Sequence, residues 1–259
     1  MVLDKRFGPS TATHAWRDLS HCQYSLGFRR RWRRSGAATG VDSAGLPFAK
    51  ALATHKIASV ALGLGAASRH FRAGSLHLKL SLLVLLSGLP GVWIGANVVL
   101  RLPDQWATTA LGVLTIGLGL YSAKRPDLGA DDAIRPLDRR TSLIGSIVLF
   151  AIGVLNGSLT SGTGLFVTLW LVHWFRIGFT RAVAHTLILV GLCWNGTGAV
   201  VLGISGEIQW TWLPMLIAGS LLGGYIGAHL SISRGNRMVK SVFEWLALVM
   251  GTSLLIRSF

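Results

Sequence analysis

The sequence predicts an all-α protein: a polytopic bundle of transmembrane helices with two inverted-topology repeats, the first repeat being incomplete at its N-terminus. Composition is the first observation, because 51% of the 259 residues are hydrophobic and only 14% are charged, whereas a soluble domain carries about 25% charged residues. The second is a set of apolar runs that reach the roughly 20 residues a membrane span needs. The third is internal similarity at a fixed offset.

The apolar runs divide into eight segments. Residues 141–175 contain no Asp, Glu, Lys or Arg and are too long for one span, but glycine, serine and threonine interrupt them at 156–164. Two weaker candidates are a short run at 57–68 and a run at 239–256 that contains Glu244. The predicted segments are 57–68, 80–100, 105–123, 142–160, 163–177, 183–203, 211–233 and 239–256.

The formal charge of +15 does not indicate a nucleic-acid-binding protein. Basic residues stand in short clusters between the apolar runs rather than on one continuous surface. Twelve of them fall on one side of the predicted topology and four on the other. Because cytoplasmic loops are enriched in Lys and Arg, the richer side, which includes the loop 124–141, is expected in the cytoplasm.

The internal similarity has an offset of 131–132 residues. Phe48–Ala53 is echoed by Phe179–Ala184, and Gly91–Ala96 by Gly223–Ala228. The second copy, 142–259, has five segments, and an odd number of spans inverts one copy relative to the other. Inverted repeats are typical of transporters. The first copy, 46–123, retains three segments, and chance similarity among helices rich in glycine and leucine is the alternative interpretation.

Residues 1–45 are basic and contain no apolar run, although the two missing segments should lie there. The offset places Arg29–Arg34 opposite the glycine-rich 160–165, and CGG arginine codons shifted by one nucleotide encode glycine. We therefore expect this stretch to be either disordered or a frameshifted translation of the missing segments. A genuine basic arm that binds anionic lipid and a targeting peptide are the alternatives.

Several motifs resemble the sulfite exporter TauE/SafE family, also called the 4-toluene sulfonate uptake permease family. They are Leu46–Ser59 with its Thr54-His55-Lys56 block, Gly153–Gly157 through Gly162–Gly164, and Ala182–His185. The resemblance implies a multi-pass protein of the bacterial inner membrane that transports sulfite, sulfonates or related organosulfur anions. The family's first glycine-rich motif is absent from this sequence.

The segment Ser161-Gly162-Thr163-Gly164 is the main candidate for a substrate site. A glycine-rich break inside a membrane leaves backbone N–H groups free, and the N-terminus of the following helix carries partial positive charge. Such a break binds an anion without a cationic side chain. The alternative is a plain loop or a packing bend.

Five further positions are candidate substrate-binding residues. We expect Thr54, His55 and Lys56 to form an equivalent break in the first copy, with Lys56 either attracting an anion at the outer mouth or anchoring a helix end. His55 and His185 occupy nearby positions in the two copies, and either titrate near neutral pH or make local hydrogen bonds. Asn195 is polar in mid-span, and either lines the pathway or bonds a neighbouring helix.

Acidic residues are almost absent from the predicted spans, where Glu244 is the one carboxylate. This disfavours a carboxylate proton relay or a carboxylate-based Na⁺ site. No Gly-x-Ser-x-Gly or His-Glu-x-x-His motif is present, and the two cysteines have no metal-ligand spacing. The sequence thus predicts a carrier of a small anion in a lipid bilayer, with no enzyme activity, cofactor, metal or nucleic-acid partner. An anion channel and a non-transporting multispan protein are the alternatives, and no pattern indicates an oligomeric state.

Overall fold

A computed structural model describes residues 48–98, 104–158, 162–205 and 208–258, all in helices and their connections. The predicted segment 1–45 lies outside the described residues. The helices are α1 (Phe48–His70), α2 (Leu78–Val98), α3 (Asp104–Ala123), α4 (Arg139–Ser158), α5 (Thr163–Phe175), α6 (Phe179–His185), α7 (Asn195–Ser205) and α8 (Leu213–Ser258). A π-helical segment, Thr186–Trp194, joins α6 to α7, and a 3₁₀ turn, Trp210–Trp212, precedes α8.

The all-helical membrane fold is confirmed. Four helical stretches of the described chain are long and apolar enough to cross a membrane: 78–97, 139–158, 179–204 and 210–256. The last stretch includes α8, which is interrupted at Gly235, where φ is 73° and ψ is −174°. Seven of the eight predicted segments coincide with a helix or with one arm of α8, and the eighth, 183–203, runs from the end of α6 through the π-helical segment into α7. The division into repeats and their inverted relation remain predictions.

The prediction of a break at Thr54-His55-Lys56 is wrong. These residues lie inside α1, which runs without interruption from Phe48 to His70. Two of these polar side chains have partners within the helix: the Thr54 hydroxyl donates to the Lys50 carbonyl at 2.7 Å, and the His55 ring lies 3.4 Å from the Ser59 hydroxyl. A bond from a Thr hydroxyl to the i−4 carbonyl occurs within helices, and α1 stays continuous around it.

Glycines allow the backbones of neighbouring helices to touch. A Cβ at Gly95 in α2 would overlap the carbonyl oxygen of Val154 in α4, and a Cβ at Gly157 would overlap the carbonyl of Val92. Gly65 in α1 and Gly224 in α8 form a second close crossing. Close approach through small residues is the usual basis of helix association in membranes, where the hydrophobic effect between helices is weak.

The loop between α3 and α4, which we call the linker (124–138), holds the start of α6. The Asp132 carboxylate accepts a hydrogen bond from the Gly178 backbone N–H at 3.0 Å and pairs with Arg181 at 2.9 Å. The carbonyl of Gly129 accepts a bond from the backbone N–H of Phe179 at 3.2 Å. Linker groups therefore cap donors that the first turn of a helix leaves unsatisfied.

The linker also binds the kink in α8 and the end of α5. Asn236, beside the kink in α8, donates to the Ala130 carbonyl at 2.8 Å and accepts from the Thr180 backbone N–H at 2.9 Å. The backbone N–H of Arg135 donates to the carbonyl of Phe175, the last residue of α5, at 2.9 Å. Asp138 immediately precedes α4, and hydrogen bonding from Thr141 holds the pKa of the Asp138 carboxyl below its usual value.

We expect the Gly95→Ala substitution to destabilise the protein by about 1–3 kcal/mol, the usual cost of overpacking a close contact. Gly227 occupies the equivalent position in the predicted repeat, yet a Cβ there meets nothing within 4 Å. Gly227→Ala should therefore be neutral or slightly stabilising, since alanine favours a helix over glycine. Thermal unfolding of the purified variants in detergent measures the difference, and equal melting temperatures would contradict this account of the α2–α4 crossing.

We also expect Asp132→Asn to lower stability by about 1 kcal/mol, as the loss of a helix cap does, because the start of α6 would lose a charged acceptor and Arg181 its partner. The neighbouring Asp131, which is exposed and forms no ion pair with a described residue, provides the control Asp131→Asn. Limited proteolysis at the linker together with thermal unfolding would detect the change. An equal response of the two variants would rule out a capping role for Asp132.

Candidate functional site

The predicted break in the second half is confirmed. α4 ends at Ser158 and α5 begins at Thr163, while Ser161 lies outside the described residues. Gly162 precedes α5 with φ 84°, a conformation that glycine adopts without strain. The 13 residues of α5 extend about 20 Å at 1.5 Å per residue, which is less than the roughly 30 Å hydrocarbon core. The break is therefore expected at membrane depth.

The N-terminus of α5 offers donors to a ligand. No side chain caps this end of the helix at Gly162. The backbone N–H groups of Thr163 and Gly164 bond to no other group among the described residues, while that of Leu165 donates to the Gly162 carbonyl at 2.9 Å. The partial positive charge of a helix N-terminus and its free N–H groups together favour an anion.

Lys56 reaches this break from α1. Its side chain is fully buried, with 0% exposure, and its ammonium donates to the carbonyl oxygen of Asn156 at 2.8 Å. A second, longer bond of 3.4 Å runs from the ammonium to Oδ1 of Asn195. Lys56 therefore lies neither at an outer mouth nor at a helix end, contrary to both sequence-based expectations, because oxygen atoms from two other helices satisfy it in the interior.

Asn156 joins Lys56 to the start of α5. Its side-chain amide donates to the Thr163 hydroxyl at 2.8 Å, and its carbonyl is the Lys56 acceptor. Its Oδ1 is buried and has no partner among the described residues. In the sequence analysis Asn156 is only part of the interruption at 156–164. Its position, a side-chain amide within a long uncharged run, could have indicated a role in the site.

Asn195 and Gly198 complete the surroundings of Lys56. Asn195 begins α7, directly after the π-helical segment. Gly198 lies one turn later, and a Cβ there would approach Lys56 Cδ at 2.7 Å and Nζ at 3.1 Å. The missing side chain at Gly198 therefore leaves the space through which the lysine chain passes.

The site carries a cation without an acidic partner. No described carboxylate forms an ion pair with Lys56. Glu244, the one acid predicted within a span, instead accepts hydrogen bonds from Ser122 and Lys240. An isolated buried charge is costly, so an anionic ligand at this position would favour the ammonium form of Lys56 and be stabilised by it.

The other predicted site residues bond elsewhere. The Thr54 hydroxyl accepts from the Gln209 backbone N–H at 3.1 Å, and His55 lies 3.4 Å from the Ser59 hydroxyl. His185 uses both ring nitrogens, one with the Arg181 carbonyl at 2.8 Å and one with the His77 backbone N–H at 3.2 Å. These two bonds require a neutral ring, with Nδ1 donating and Nε2 accepting. The structure thus brings Lys56, Thr163 and Asn195 together, next to Gly162 and Gly164, and gives the other three separate partners.

Comparison with known proteins agrees with a transport role. The profile of the family described as "Sulfite exporter TauE/SafE" matches residues 37–254. A probable membrane transporter protein, ORF9, of Sinorhizobium sp. is 27% identical over 214 residues, which cover 82% of this chain and 80% of the relative. A probable membrane transporter protein of Haemophilus influenzae is 24% identical over 206 residues, covering 80% of each chain.

A third relative, the probable membrane transporter protein YfcA of Escherichia coli K12, is 25% identical over 214 residues, covering 82% of this chain and 78% of the relative. No solved structure matches the chain. The family match extends over all the helices from α1 to α7 and most of α8. The chain therefore belongs to the sulfite exporter TauE/SafE family and is a membrane transporter rather than an enzyme.

Proposed function

We propose that this transporter is a secondary carrier of small anions, with sulfite, sulfonates and related organosulfur compounds as the substrate class. The observation that carries the proposal is the buried Lys56 ammonium held at the break between α4 and α5, with no described carboxylate to neutralise it. The family description names sulfite, and the relatives are described as probable membrane transporters.

The break provides several kinds of donor for an oxyanion. Two backbone N–H groups come from the start of α5, a hydroxyl from Thr163 and an amide from Asn195, with the Lys56 charge beside them. An anion with several oxygen atoms accepts hydrogen bonds from more than one of these donors at once. Each charge-assisted bond contributes about 1.5–3 kcal/mol, so two or three suffice for a substrate that must also be released.

The proposed carrier resides in the inner membrane of a bacterium with the linker in the cytoplasm. The arrangement of arginines and lysines supports this orientation, since Arg125, Arg135, Arg176 and Arg181 all lie near the linker end of the helices. Lys and Arg are retained on the cytoplasmic side of membrane proteins.

We expect Gly164→Pro to reduce substrate affinity about 10- to 100-fold, as the loss of one charge-assisted hydrogen bond implies. Proline removes the N–H of this residue, and the first turn of a helix is where proline is tolerated. Gly164→Ala is the matched control, because it keeps the N–H and its Cβ makes an ordinary 3.4 Å contact with Thr186. Binding of ³⁵S-sulfite, an alkanesulfonate and ³⁵S-sulfate to purified protein measures the effect; equal affinities of the two variants would refute the role of α5.

A carrier and a channel differ in their response to an opposing gradient. We expect proteoliposomes loaded with unlabelled substrate to accumulate labelled substrate transiently above its outside concentration, because a carrier exchanges one molecule for another. A channel would only equilibrate the label. Absence of this counterflow together with rapid passive flux would replace the carrier assignment with an anion channel.

A further inference from the structure

Lys56 binds at the negative end of a broken helix. Asn156 is in the last turn of α4, where carbonyl groups lack partners within the helix and the helix dipole places partial negative charge. The Lys56 ammonium donates to this carbonyl at 2.8 Å. The carboxyl ends of half-helices and freed carbonyl groups are where transporters with broken helices coordinate Na⁺ or H⁺.

The surroundings of the ammonium are those of a cation site built from neutral oxygen atoms. Asn156 supplies a carbonyl and Asn195 a side-chain oxygen, and the Oδ1 of Asn156, buried without a described partner, is a further oxygen in the same residue. Oxygen ligands of this kind suit hard cations such as Na⁺. In this protein the cation at that position is the ammonium of Lys56, which is covalently attached to α1.

We propose that Lys56 is a tethered replacement for a coupling cation, so that this carrier moves its anion without binding Na⁺. The proposal rests on the proposed anion transport for its physiological meaning. The lysine ammonium binds the carbonyl end of α4, the place that a dissolved cation would otherwise fill. It keeps the break electrostatically balanced while the anion binds and leaves.

The length of the lysine side chain makes this proposal testable by chemical rescue. Lys56→Ala removes three carbon atoms and the ammonium, which together correspond to propylammonium. The vacated space runs beside Gly198, where no side chain intrudes. A free amine of this size therefore fits the variant, whereas Lys56→Met fills the same space without a charge.

The experiment measures ³⁵S-sulfite uptake into proteoliposomes in sodium gluconate and in N-methylglucamine gluconate. We expect the native protein to give rates that agree within about twofold in the two media. Lys56→Ala should lose at least tenfold and recover most of the loss in propylammonium gluconate, whereas Lys56→Met should not recover. Lys79→Ala, which removes an exposed lysine, should behave like the native protein.

If uptake by the native protein required Na⁺, the proposal would be wrong, and the comparison of the two media tests this without any variant. Full activity of Lys56→Ala without any amine would overturn it as well, as would failure of propylammonium to rescue a folded Lys56→Ala protein.

Thermal unfolding separates this proposal from the proposed function. If the native protein transports no sulfite, sulfonate or sulfate, the anion-carrier function fails. The cation site then stands only if propylammonium raises the melting temperature of Lys56→Ala by several degrees and leaves the native protein unchanged. No rise in the variant refutes the tethered cation independently of transport.

Discussion

The hydrogen bond from the Lys56 ammonium to the carbonyl of Asn156 is the contact on which the centre of the molecule depends. It joins α1 to the end of α4 across 100 residues of sequence. A buried ammonium needs acceptors for its N–H donors, and Asn156 and Asn195 supply two of them. The same contacts fix the position of the gap before α5, because Asn156 also binds Thr163. Lys56 thereby joins three helices at the break between α4 and α5.

Glycine makes this arrangement sterically possible. Gly95 and Gly157 bring α2 and α4 into backbone contact, Gly65 and Gly224 do so for α1 and α8, and Gly198 leaves room for the lysine chain. Membrane helices gain little from burying apolar surface against one another, so close packing and interhelical hydrogen bonds must hold the bundle together. The high glycine content of the sequence, 32 residues, has this physical use.

Hydropathy and spacing located the helices well, because the length of an uncharged run is a direct consequence of membrane thickness. The interruption at 156–164 was equally visible, since glycine and hydroxyl residues rarely cluster within an apolar run without a reason. Thr54-His55-Lys56 was misread as a break because a local window cannot show that Asn156 and Asn195, far away in sequence, supply acceptors for Lys56. The role of Asn156 was missed for the same reason. Both errors have the same cause, because each depends on contacts between residues far apart in the chain, and a single sequence does not show such contacts.

The linker couples the positions of three helices. Its backbone and Asp132 bind the last residue of α5, the first turn of α6 and, through Asn236, the kink in α8. The end of α5, the start of α6 and the kink in α8 are thus all bound to the linker. A shift of one of them therefore requires either that the other two move with it or that these polar bonds break. Because α5 runs from the break at Thr163 to the linker, a displacement of α5 at the break would have to be accommodated by these polar bonds.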